Sequence, residues 1–523
     1  MLCVFCCTKF ISTKVCSFIL GVFLSPQSNT QTLSSSKTFF TSPPKTSKSP
    51  FFMSFPLPPA FVSRLQHDLG SDEALALQNA LQTNPPISIR HNPHKFFPNN
   101  PHLSLTNAVP WCDKAYYLAQ RPLFTADPLF HAACYYVQEA ASMFLAHIWQ
   151  QFISSLETVC VLDACAAPGG KSTLLASLLN KQSCLVSNEV VRPRANVLAE
   201  NMTKWGSTNT FVTCNTPQDL GKLHNFFDVI VIDAPCSGEG MFRKDPAAIQ
   251  EWTSQSNAFC SQRQRHIVAD LYPCLANNGY LIYSTCTFSK QENEDIVRYL
   301  VENYAMTCLQ IPLLPEWNII ESQETLPTGE NIFGYHFYPH LTTGEGFFVA
   351  CLQKTAEEYP TTKSKNKNKN PQKNTTSLSL AQQKSYLSNY LAPADDFVPL
   401  MDGDTLFAIP QCLQNAAQTV MQSLYCLKKG IEIGTLKGKD LVPSVGVALS
   451  HCLSPTLPRI ALSQAQAIAY LRREEVVLPD ACPIGWCLVQ YEGHCLGWIK
   501  VLSSGRCNNY YPTHWKIRMN IEV

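Results

Sequence analysis

Two cysteines follow two separate apolar runs of the sequence. Cys236 lies in DAPCSGEG after the run VIVI, and Cys286 lies in STCTF after the run YLIY. If both runs are strands of one parallel sheet, their carboxyl ends bring the two thiols to the same edge. One cysteine after a strand is typical of a buried structural thiol. Two at one edge, with PCSG and STCT around them, indicate functional thiols.

A third segment, VLDACAAPGGKST, ends like a phosphate-binding loop. Such a loop requires a glycine five residues before the glycine of its GK pair. Cys165 stands at that position before Gly170, so a nucleotide-hydrolysing enzyme is disfavoured. What remains is an apolar strand with Asp163 at its tip, a glycine-rich turn and a helix from Lys171. This arrangement is typical of a ligand-binding loop at the carboxyl end of a strand.

An acid also ends the next predicted strand, CLVSNE. In a doubly wound sheet this position lies beside the ligand of the first loop, where a carboxylate accepts hydrogen bonds from ribose hydroxyls. The GxGxxG pattern of dinucleotide-binding proteins is absent. Glu189 and the loop together therefore predict an adenosine compound other than a dinucleotide.

Strands and helices alternate between residues 159 and 353. The apolar segments VCVLDA, CLVSNE, TFVTC, DVIVID and YLIYST are separated by segments of helical character. This alternation predicts a mostly parallel, doubly wound sheet. YHFYPH and GEGFFVACL alternate like an antiparallel pair at the sheet edge, which makes seven strands. Upstream, we predict a helical segment at 65–81, a strand in PPISIRHNPHK and a helix from about Tyr136.

Chain length, net charge and cysteine count limit the number of domains, the kind of nucleic-acid surface and the redox compartment. A chain of 523 residues predicts about three domains, and a net charge of +1 restricts any nucleic-acid surface to a local patch. The 23 cysteines lack the spacing of metal sites or disulfide frameworks, which indicates a reducing compartment. Residues 1–52 contain no acid and no apolar run long enough to span a bilayer. We expect them to be a disordered extension or a misassigned start before Met53, with a signal or transit peptide as the alternative.

Composition also divides the rest of the chain. A basic, polar stretch without periodicity predicts a disordered linker at 355–391. An N-terminal lobe is expected at 53–150, the α/β domain at 151–354 and a unit of short strands at 392–523.

Taken together, DACAAPGGKS, DAPCSGEG and STCTF resemble the RNA 5-methylcytosine methyltransferases of the Nol1/Nop2/Sun type. The segments FTADPLFHAACYYVQEAASM and FYPHLTTGEGFFVA resemble the branch that modifies bacterial 16S ribosomal RNA, and GWIKV and NNYYPTHWKIR resemble its PUA-like RNA-binding module. The resemblance covers nearly the whole chain from Met53. It implies a Rossmann-like α/β fold flanked by an N-terminal α+β RNA-binding lobe and a β-rich, PUA-like C-terminal domain, with S-adenosylmethionine as cofactor.

The resemblance also implies individual roles. Cys286 would attack C6 of cytosine and activate C5, and Cys236 would assist release of the product. We expect a protonated Asp233 to donate a hydrogen bond to N3 of the base and Lys171 to lower the pKa of the attacking thiol. The expected cofactor-binding residues are Cys165, Ala166, Ala167, Pro168, Gly169, Gly170, Lys171, Glu189, Asn215 and Asp233. Asn215 stands where the family has an acid, and Asp219 is the alternative.

The implied substrate is single-stranded or looped RNA, because C6 of a paired and stacked base is out of reach. We expect 16S ribosomal RNA or the small ribosomal subunit as the partner. Transfer RNA and a non-catalytic, RNA-binding assembly factor are the alternatives. Candidate phosphate contacts are Arg90, Lys95, Arg243 and Lys244, with plain surface charge as the alternative. The protein is expected to be a cytoplasmic monomer without a bound metal or a membrane association.

Overall fold

The computed structural model describes residues 56–355, 378–438, 440–479 and 482–519. Two compact units divide the chain, Met1–Leu57 and Pro58–Val523, and nearly all described residues belong to the second. The prediction for residues 1–52 therefore lies outside the described part of the chain. None of the described helices is long and apolar enough to cross a membrane.

The N-terminal lobe combines helices with a four-stranded antiparallel sheet. Gly70, whose φ is 82°, separates two helices in the segment predicted to be helical at 65–81. The strand in PPISIRHNPHK is confirmed. The helix predicted from Tyr136 begins later, because Tyr136 lies in a strand that pairs with Arg90. The elements are α1 (Pro59–Leu69), α2 (Ser71–Leu81), β1 (Ser88–His91), β2 (Leu105–Ala108), β3 (Ala115–Leu118), α3 (Pro128–His131), β4 (Tyr135–Val137) and α4 (Leu145–Phe152).

The middle of the chain supplies the α/β core. Its strands are β5 (Cys160–Asp163), β6 (Cys184–Asn188), β7 (Thr210–Thr213), β8 (Phe227–Asp233), β9 (Leu275–Thr285), β10 (Met306–Leu309), β11 (Ile320–Thr325), β12 (Asn331–Phe337) and β13 (Phe347–Lys354). Its helices are α5 (Gly170–Leu178), α6 (Arg192–Trp205), α7 (Pro217–Gly221), α8 (Pro246–Glu251), α9 (Ser256–Leu271) and α10 (Glu294–Asn303). The alternation of strands and helices is confirmed.

The centre of this sheet is parallel, in the order β7-β6-β5-β8-β9, and antiparallel strands extend it. Within the described residues this sheet has ten strands, three more than the seven predicted. The missed strands are β10, β11 and one from the C-terminal region. They are short or polar, and therefore lack the apolar run by which the other strands were predicted.

Strand order reverses at β5, which lies between β6 and β8. At such a switch point the connections diverge and leave a crevice at the carboxyl ends of the strands. Side chains of these strands are buried on both faces. Val161 and Val229 belong to one apolar cluster, whereas Leu162 and Ile230 belong to another. Burial on both faces is what a parallel sheet covered by helices requires.

The C-terminal region is rich in strands and forms two four-stranded sheets, one from strands within residues 397–443 and one from strands within residues 459–509. Its elements are α11 (Leu380–Tyr390), β14 (Phe397–Asp402), β15 (Thr405–Pro410), α12 (Gln414–Ser423), β16 (Cys426–Lys429), β17 (Ile431–Lys437), β18 (Asp440–Pro443), α13 (Val445–Ala448), β19 (Arg459–Ala461), α14 (Gln464–Arg472), β20 (Gly485–Tyr491), β21 (His494–Val501) and β22 (Cys507–Asn509). Strand β16 leaves this region and pairs antiparallel with β7, as the tenth strand of the large sheet.

Helix α11 corrects the linker predicted at 355–391. Ser379 accepts the N–H of Gln382, whose side chain accepts the N–H of Ser379 in return. This capping box starts a helix within a segment whose polar composition resembles a linker. The predicted boundaries at 150 and 354 stay predictions, and residues 356–377 lie outside the described part of the chain.

Candidate active site

The turn after β5 is fastened to helix α6. The carbonyl of Ala167 accepts a hydrogen bond from Arg194 at 3.0 Å, and the carbonyl of Pro168 accepts one from Asn201 at 2.8 Å. Gly169 has a φ of 117°, and a Cβ at this position would lie 3.3 Å from a side-chain carbon of α6. The positive φ therefore favours glycine here, and a larger side chain would also crowd helix α6. The turn holds the predicted loop 165–171 at the crevice.

Two buried carboxylates stand at the ends of β5 and β6. Asp163 accepts a hydrogen bond from Ser172 through Oδ2 at 2.6 Å, while its buried Oδ1 has no hydrogen-bond partner among the described residues. Burial raises the pKa of Asp163 to about 7. Glu189 accepts the N–H of Val191 at 2.9 Å, and its other oxygen lies 3.4 Å from Arg194. Both acids present oxygen acceptors close to the loop.

Asn215 follows β7, as predicted, but its side chain is already bonded. Its amide group donates to the carbonyl of Tyr425 at 3.1 Å and accepts the N–H of Tyr425 at 3.0 Å. The alternative residue, Asp219, accepts a hydrogen bond from the Thr216 hydroxyl at 2.8 Å and forms an ion pair with Lys222 at 2.7 Å. Asp219 therefore caps helix α7, and Asn215 connects the sheet edge to the C-terminal region.

Lys171 and Asp233 join the loop to the end of β8. Nζ of Lys171 lies 2.9 Å from Oδ2 of Asp233, and the hydroxyl of Ser284 donates to Oδ1 at 3.0 Å. Burial is the largest single influence and acts to lower the pKa of Lys171, but Asp233, Asp163 and Cys286 together outweigh it and the pKa is raised. A carboxylate paired with an ammonium group only accepts hydrogen bonds. Both oxygens of Asp233 therefore have partners within the protein, and its hydrogen bond to N3 of a base stays a prediction.

The two cysteines predicted to act together are adjacent. Sγ of Cys236 lies 3.2 Å from Sγ of Cys286, and both residues are half-buried at the carboxyl ends of β8 and β9. The hydrogen bond with Cys286, together with burial, raises the pKa of Cys236 well above its usual value. Cys236 is thus held as a thiol, and its S–H can donate to the sulfur of Cys286.

Close backbone contacts fix the turn that carries Cys286. The N–H of Gly240 donates to the carbonyl of Cys286 at 2.8 Å. A Cβ on Gly240 would lie 2.9 Å from that carbonyl and 2.6 Å from the carbonyl of Gly346. Three segments, after β8, after β9 and before β13, therefore converge where only glycine fits.

Two buried glutamates that the sequence analysis did not single out support the cysteine loops. Glu292 accepts hydrogen bonds from the N–H of Ser237 at 2.9 Å, from its hydroxyl at 2.6 Å and from Gln264 at 3.1 Å. Burial raises the pKa of Glu292. Its segment, KQENED, looks like a solvent-exposed helix start, so nothing in the sequence signals a buried acid.

Glu239 is fully buried and supports the loop that carries Cys286. It forms an ion pair with Arg64 at 2.7 Å and accepts hydrogen bonds from Trp252 at 3.1 Å, Asn257 at 2.8 Å and the N–H of Phe288 at 3.1 Å. A charged residue between two glycines in DAPCSGEG was the available signal. Glu239 connects helix α1 of the N-terminal lobe to the turn that follows Cys286.

The basic residues predicted to contact phosphates are engaged within the protein. Arg90 is 2% exposed, donates to Thr173 at 2.7 Å and to Gln138 at 3.0 Å, and lies over the ring of Trp205 at 4.7 Å. Arg90 is therefore a core residue, which corrects the prediction for this position.

The other three candidates also bind within the protein. Lys95 donates to two main-chain carbonyls at 3.1 and 2.6 Å, and burial lowers its pKa to about 8. Arg243 donates to three main-chain carbonyls at 2.9–3.3 Å. Lys244 lies 3.5 Å from the carboxylate of Glu345. Lys95 and Arg243 therefore use donors inside the protein, which corrects the prediction for these two, whereas a phosphate contact by Lys244 stays a prediction.

Family models match three separate parts of the chain. The model described as 16S rRNA methyltransferase RsmB/F matches residues 152–353. The N-terminal domain of 16S rRNA methyltransferase RsmF matches residues 57–140, and the methyltransferase RsmF PUA domain matches residues 457–517. The resemblance found in the sequence is confirmed. The solved structure of PH0851 has a TM-score of 0.50 and 22% identity over 57% of this chain and 66% of that chain, a likeness in fold.

Curated relatives cover this chain to different extents. The ribosomal RNA small subunit methyltransferase F of Pectobacterium atrosepticum is 35% identical over 257 residues, and the match covers 48% of this chain and about half (52%) of the relative's length. The protein of the same name from Shewanella sediminis is 30% identical over 419 residues, covering 77% of this chain and 84% of the relative. The chain therefore belongs to the family of ribosomal RNA small subunit methyltransferase F.

Proposed function

We propose that this protein methylates C5 of a cytosine in small-subunit ribosomal RNA, with S-adenosylmethionine as methyl donor. The observation that carries the proposal is the 3.2 Å contact between the sulfur atoms of Cys236 and Cys286, beside a ligand loop. One thiol at this edge would suffice for many reactions. Two adjacent thiols fit a reaction in which one makes a carbon–sulfur bond and the other assists in breaking it.

The side chains at the crevice fit an adenosyl amino acid. The unpartnered Oδ1 of Asp163 and the carboxylate of Glu189 are acceptors for an ammonium group or a ribose diol. The loop 165–171 supplies main-chain groups where glycine lets a ligand approach closely. When bound, S-adenosylmethionine supplies an electrophilic methyl group. The cofactor would thus be held by the loop and Glu189, with Lys171 and Asp233 next to it.

Cys286 is assigned as the nucleophile. Its thiolate forms a bond to C6 of cytosine, and the electrons of the C5–C6 double bond then make C5 nucleophilic towards the methyl group. The ammonium group of Lys171 favours negative charge nearby, and the thiol of Cys236 can donate to the Cys286 sulfur. After methylation, H5 passes as a proton to solvent water, its bonding electrons restore the C5–C6 double bond, and the C6–S bond breaks with its electrons returning to sulfur, which regenerates the thiolate.

Cys236 is assigned to release of the product. Its raised pKa keeps it protonated, so it is unsuited to the first attack. Its position next to the carbon–sulfur bond suits exchange of a proton as that bond breaks. We assign to Lys171 the stabilisation of negative charge on the base, since Asp233 is occupied in the ion pair with Lys171.

The test is a search for the covalent intermediate. The full chain is incubated with 16S ribosomal RNA and S-adenosylmethionine, denatured in SDS and examined for protein shifted by bound RNA. We expect Cys236→Ala to accumulate the adduct, and Cys286→Ala and the double variant to form none. Cys260→Ala, which changes a half-buried cysteine of helix α9, is the matched control and should behave like the wild type.

A second readout identifies the modified atom and the RNA. S-adenosylmethionine with a labelled methyl group is used. Digestion of the methylated RNA to nucleosides should yield labelled 5-methylcytidine, and ribosomal RNA should accept more of the label than transfer RNA. Adduct from Cys286→Ala instead of Cys236→Ala would reverse the two roles. RNA binding without adduct or label from any variant would favour the non-catalytic assembly factor.

A further inference from the structure

We propose that Tyr425, from the C-terminal region, forms a wall of the part of the site that holds the adenosine of the cofactor. In this arrangement Asn215 positions Tyr425 and does not itself bind adenosine. The inference rests on the proposed function and extends it, because it makes the C-terminal region part of the cofactor site as well as a separate module.

Tyr425 is fixed to the sheet edge by its own main chain. Its carbonyl accepts hydrogen bonds from the side chain of Asn215 and from the N–H of Cys214, both at 3.1 Å. Its N–H donates to Asn215 Oδ1 at 3.0 Å. Strand β16 begins at the next residue and pairs with β7. Both polar atoms of Asn215 are used in this way, so the side chain is committed to Tyr425.

A short series of contacts joins Tyr425 to the ligand loop. The N–H of Ala166 in that loop donates to the carbonyl of Asn188 at 2.9 Å. The side chain of Asn188 accepts the N–H of Asn215 at 3.0 Å and donates to its carbonyl at 3.0 Å. The ends of β5, β6 and β7 are thereby fixed relative to one another. Tyr425 stands at the end of this series, on the side where Glu189 lies.

Tyr425 is partly open to a ligand. It is 55% exposed, and Val190, directly after Glu189, is 47% exposed. Cys214 Sγ lies 3.7 Å from the carbonyl of Val190, so the segments that follow β6 and β7 are in contact. Arg192 bonds the Tyr425 hydroxyl at 3.0 Å and lies 4.8 Å from the ring centre. An aromatic ring held at a fixed place and an exposed aliphatic side chain are surfaces on which a purine can stack.

A single exposed tyrosine is ordinary on a protein surface. Tyr425 differs because its main chain has three hydrogen bonds to the end of β7 and its hydroxyl a fourth to the start of helix α6. A side chain that only faced solvent would not need an asparagine committed to its backbone. These contacts fit a residue whose position matters for a bound ligand.

The test measures binding of S-adenosylhomocysteine to the full chain by isothermal titration calorimetry. We expect Tyr425→Ala to weaken binding about tenfold, in line with the loss of one stacking surface, and Tyr425→Phe to bind like the wild type. Asn215→Ala should weaken binding less than Tyr425→Ala. Phe96→Ala, which removes a 42% exposed ring from the N-terminal lobe, is the control and should leave affinity unchanged.

A second measurement needs no variant. In the wild-type protein, amide hydrogen exchange of the segment around Tyr425 should slow when S-adenosylhomocysteine is added. The inference would be overturned, while the proposed function stands, if Tyr425→Ala bound S-adenosylhomocysteine with wild-type affinity. The same holds if the rate of amide exchange around Tyr425 did not change when the ligand is added. Failure of the wild-type protein to bind S-adenosylhomocysteine would overturn both.

Discussion

The sulfur atoms of Cys236 and Cys286 lie 3.2 Å apart, although 50 residues separate them in the chain. Cys286 directly follows β9, Cys236 lies three residues after the end of β8, and β8 and β9 are neighbours in the sheet. The contact is therefore a consequence of strand order. It also means that each thiol changes the chemistry of the other, since the hydrogen bond between them raises the pKa of Cys236.

One prediction follows for mild oxidation. Diamide should join Cys236 and Cys286 in a disulfide, because the two sulfurs need to approach by only about 1 Å to reach bonding distance. The two thiol hydrogens pass to diamide, which is reduced to the hydrazine form. Alkylation followed by mass spectrometry should find this pair, and dithiothreitol should restore both thiols.

The oxidised protein should form no RNA adduct until it is reduced, since the nucleophile is consumed. Cys260→Ala, altered on the neighbouring helix, should cross-link like the wild type, whereas Cys236→Ala should not. A disulfide map that omits Cys236 and Cys286 would show that the pair is not arranged as described.

Glu239 should be important for stability as well as for the site. Glu239→Ala removes the acceptor of Arg64, Trp252, Asn257 and the N–H of Phe288. Breaking a buried ion pair by removal of one partner typically lowers the free energy of unfolding by about 3–5 kcal/mol. Urea denaturation followed by circular dichroism measures the change. Glu302→Ala, exposed on helix α10, should leave stability unchanged. An unaltered midpoint for Glu239→Ala would count against the contacts described.

The sequence was most informative where local patterns decide structure. Apolar runs alternating with helices predicted the parallel strands, and strand ends placed Cys236, Cys286 and Glu189 at one edge. Each of these inferences needs only the rule that parallel strands share a carboxyl edge. For the same reason the loop 165–171 and Lys171 lie where they were predicted.

The sequence failed where a contact depends on tertiary pairing. Tyr425 is 210 residues from Asn215, and no local pattern indicates that their groups are hydrogen-bonded. Arg90 lies beside histidines and lysines in a segment that looks exposed, yet its guanidinium is buried against Trp205. The partner of Asp233 is equally hidden, because folding brings the ammonium group of Lys171 to it from a distant segment.

A substitution of Arg90 distinguishes a residue that stabilises the core from one that contacts RNA phosphates. Arg90→Met should lower the free energy of unfolding by roughly 2–4 kcal/mol, since Thr173 and Gln138 lose a buried charged donor. The RNA affinity of the folded variant, measured by filter binding, should not change. Arg121→Ala, an exposed arginine of the same lobe, should affect stability by no more than about 0.5 kcal/mol. Loss of RNA affinity with stability intact in Arg90→Met would reinstate the phosphate contact.

Asp163 should make folding sensitive to pH in a defined direction. Burial raises its pKa to about 7, against about 3.9 for an aspartate in an unfolded chain. Between these values the folded protein binds the proton more tightly, so stability is greater at acid pH and falls as pH rises through this window. The side chain of Asn in Asp163→Asn has the same shape as Asp and cannot ionise. The variant should therefore not show the loss of stability with rising pH that ionisation of Asp163 causes. Relative to the wild type, the variant should become more stable as pH rises from about 4 to about 7, by up to about 4 kcal/mol. Urea denaturation of both proteins at several pH values measures the difference, which cancels the titration of all other groups. A difference that is constant with pH, or that grows towards acid pH, would show that Asp163 is ionised in the folded protein.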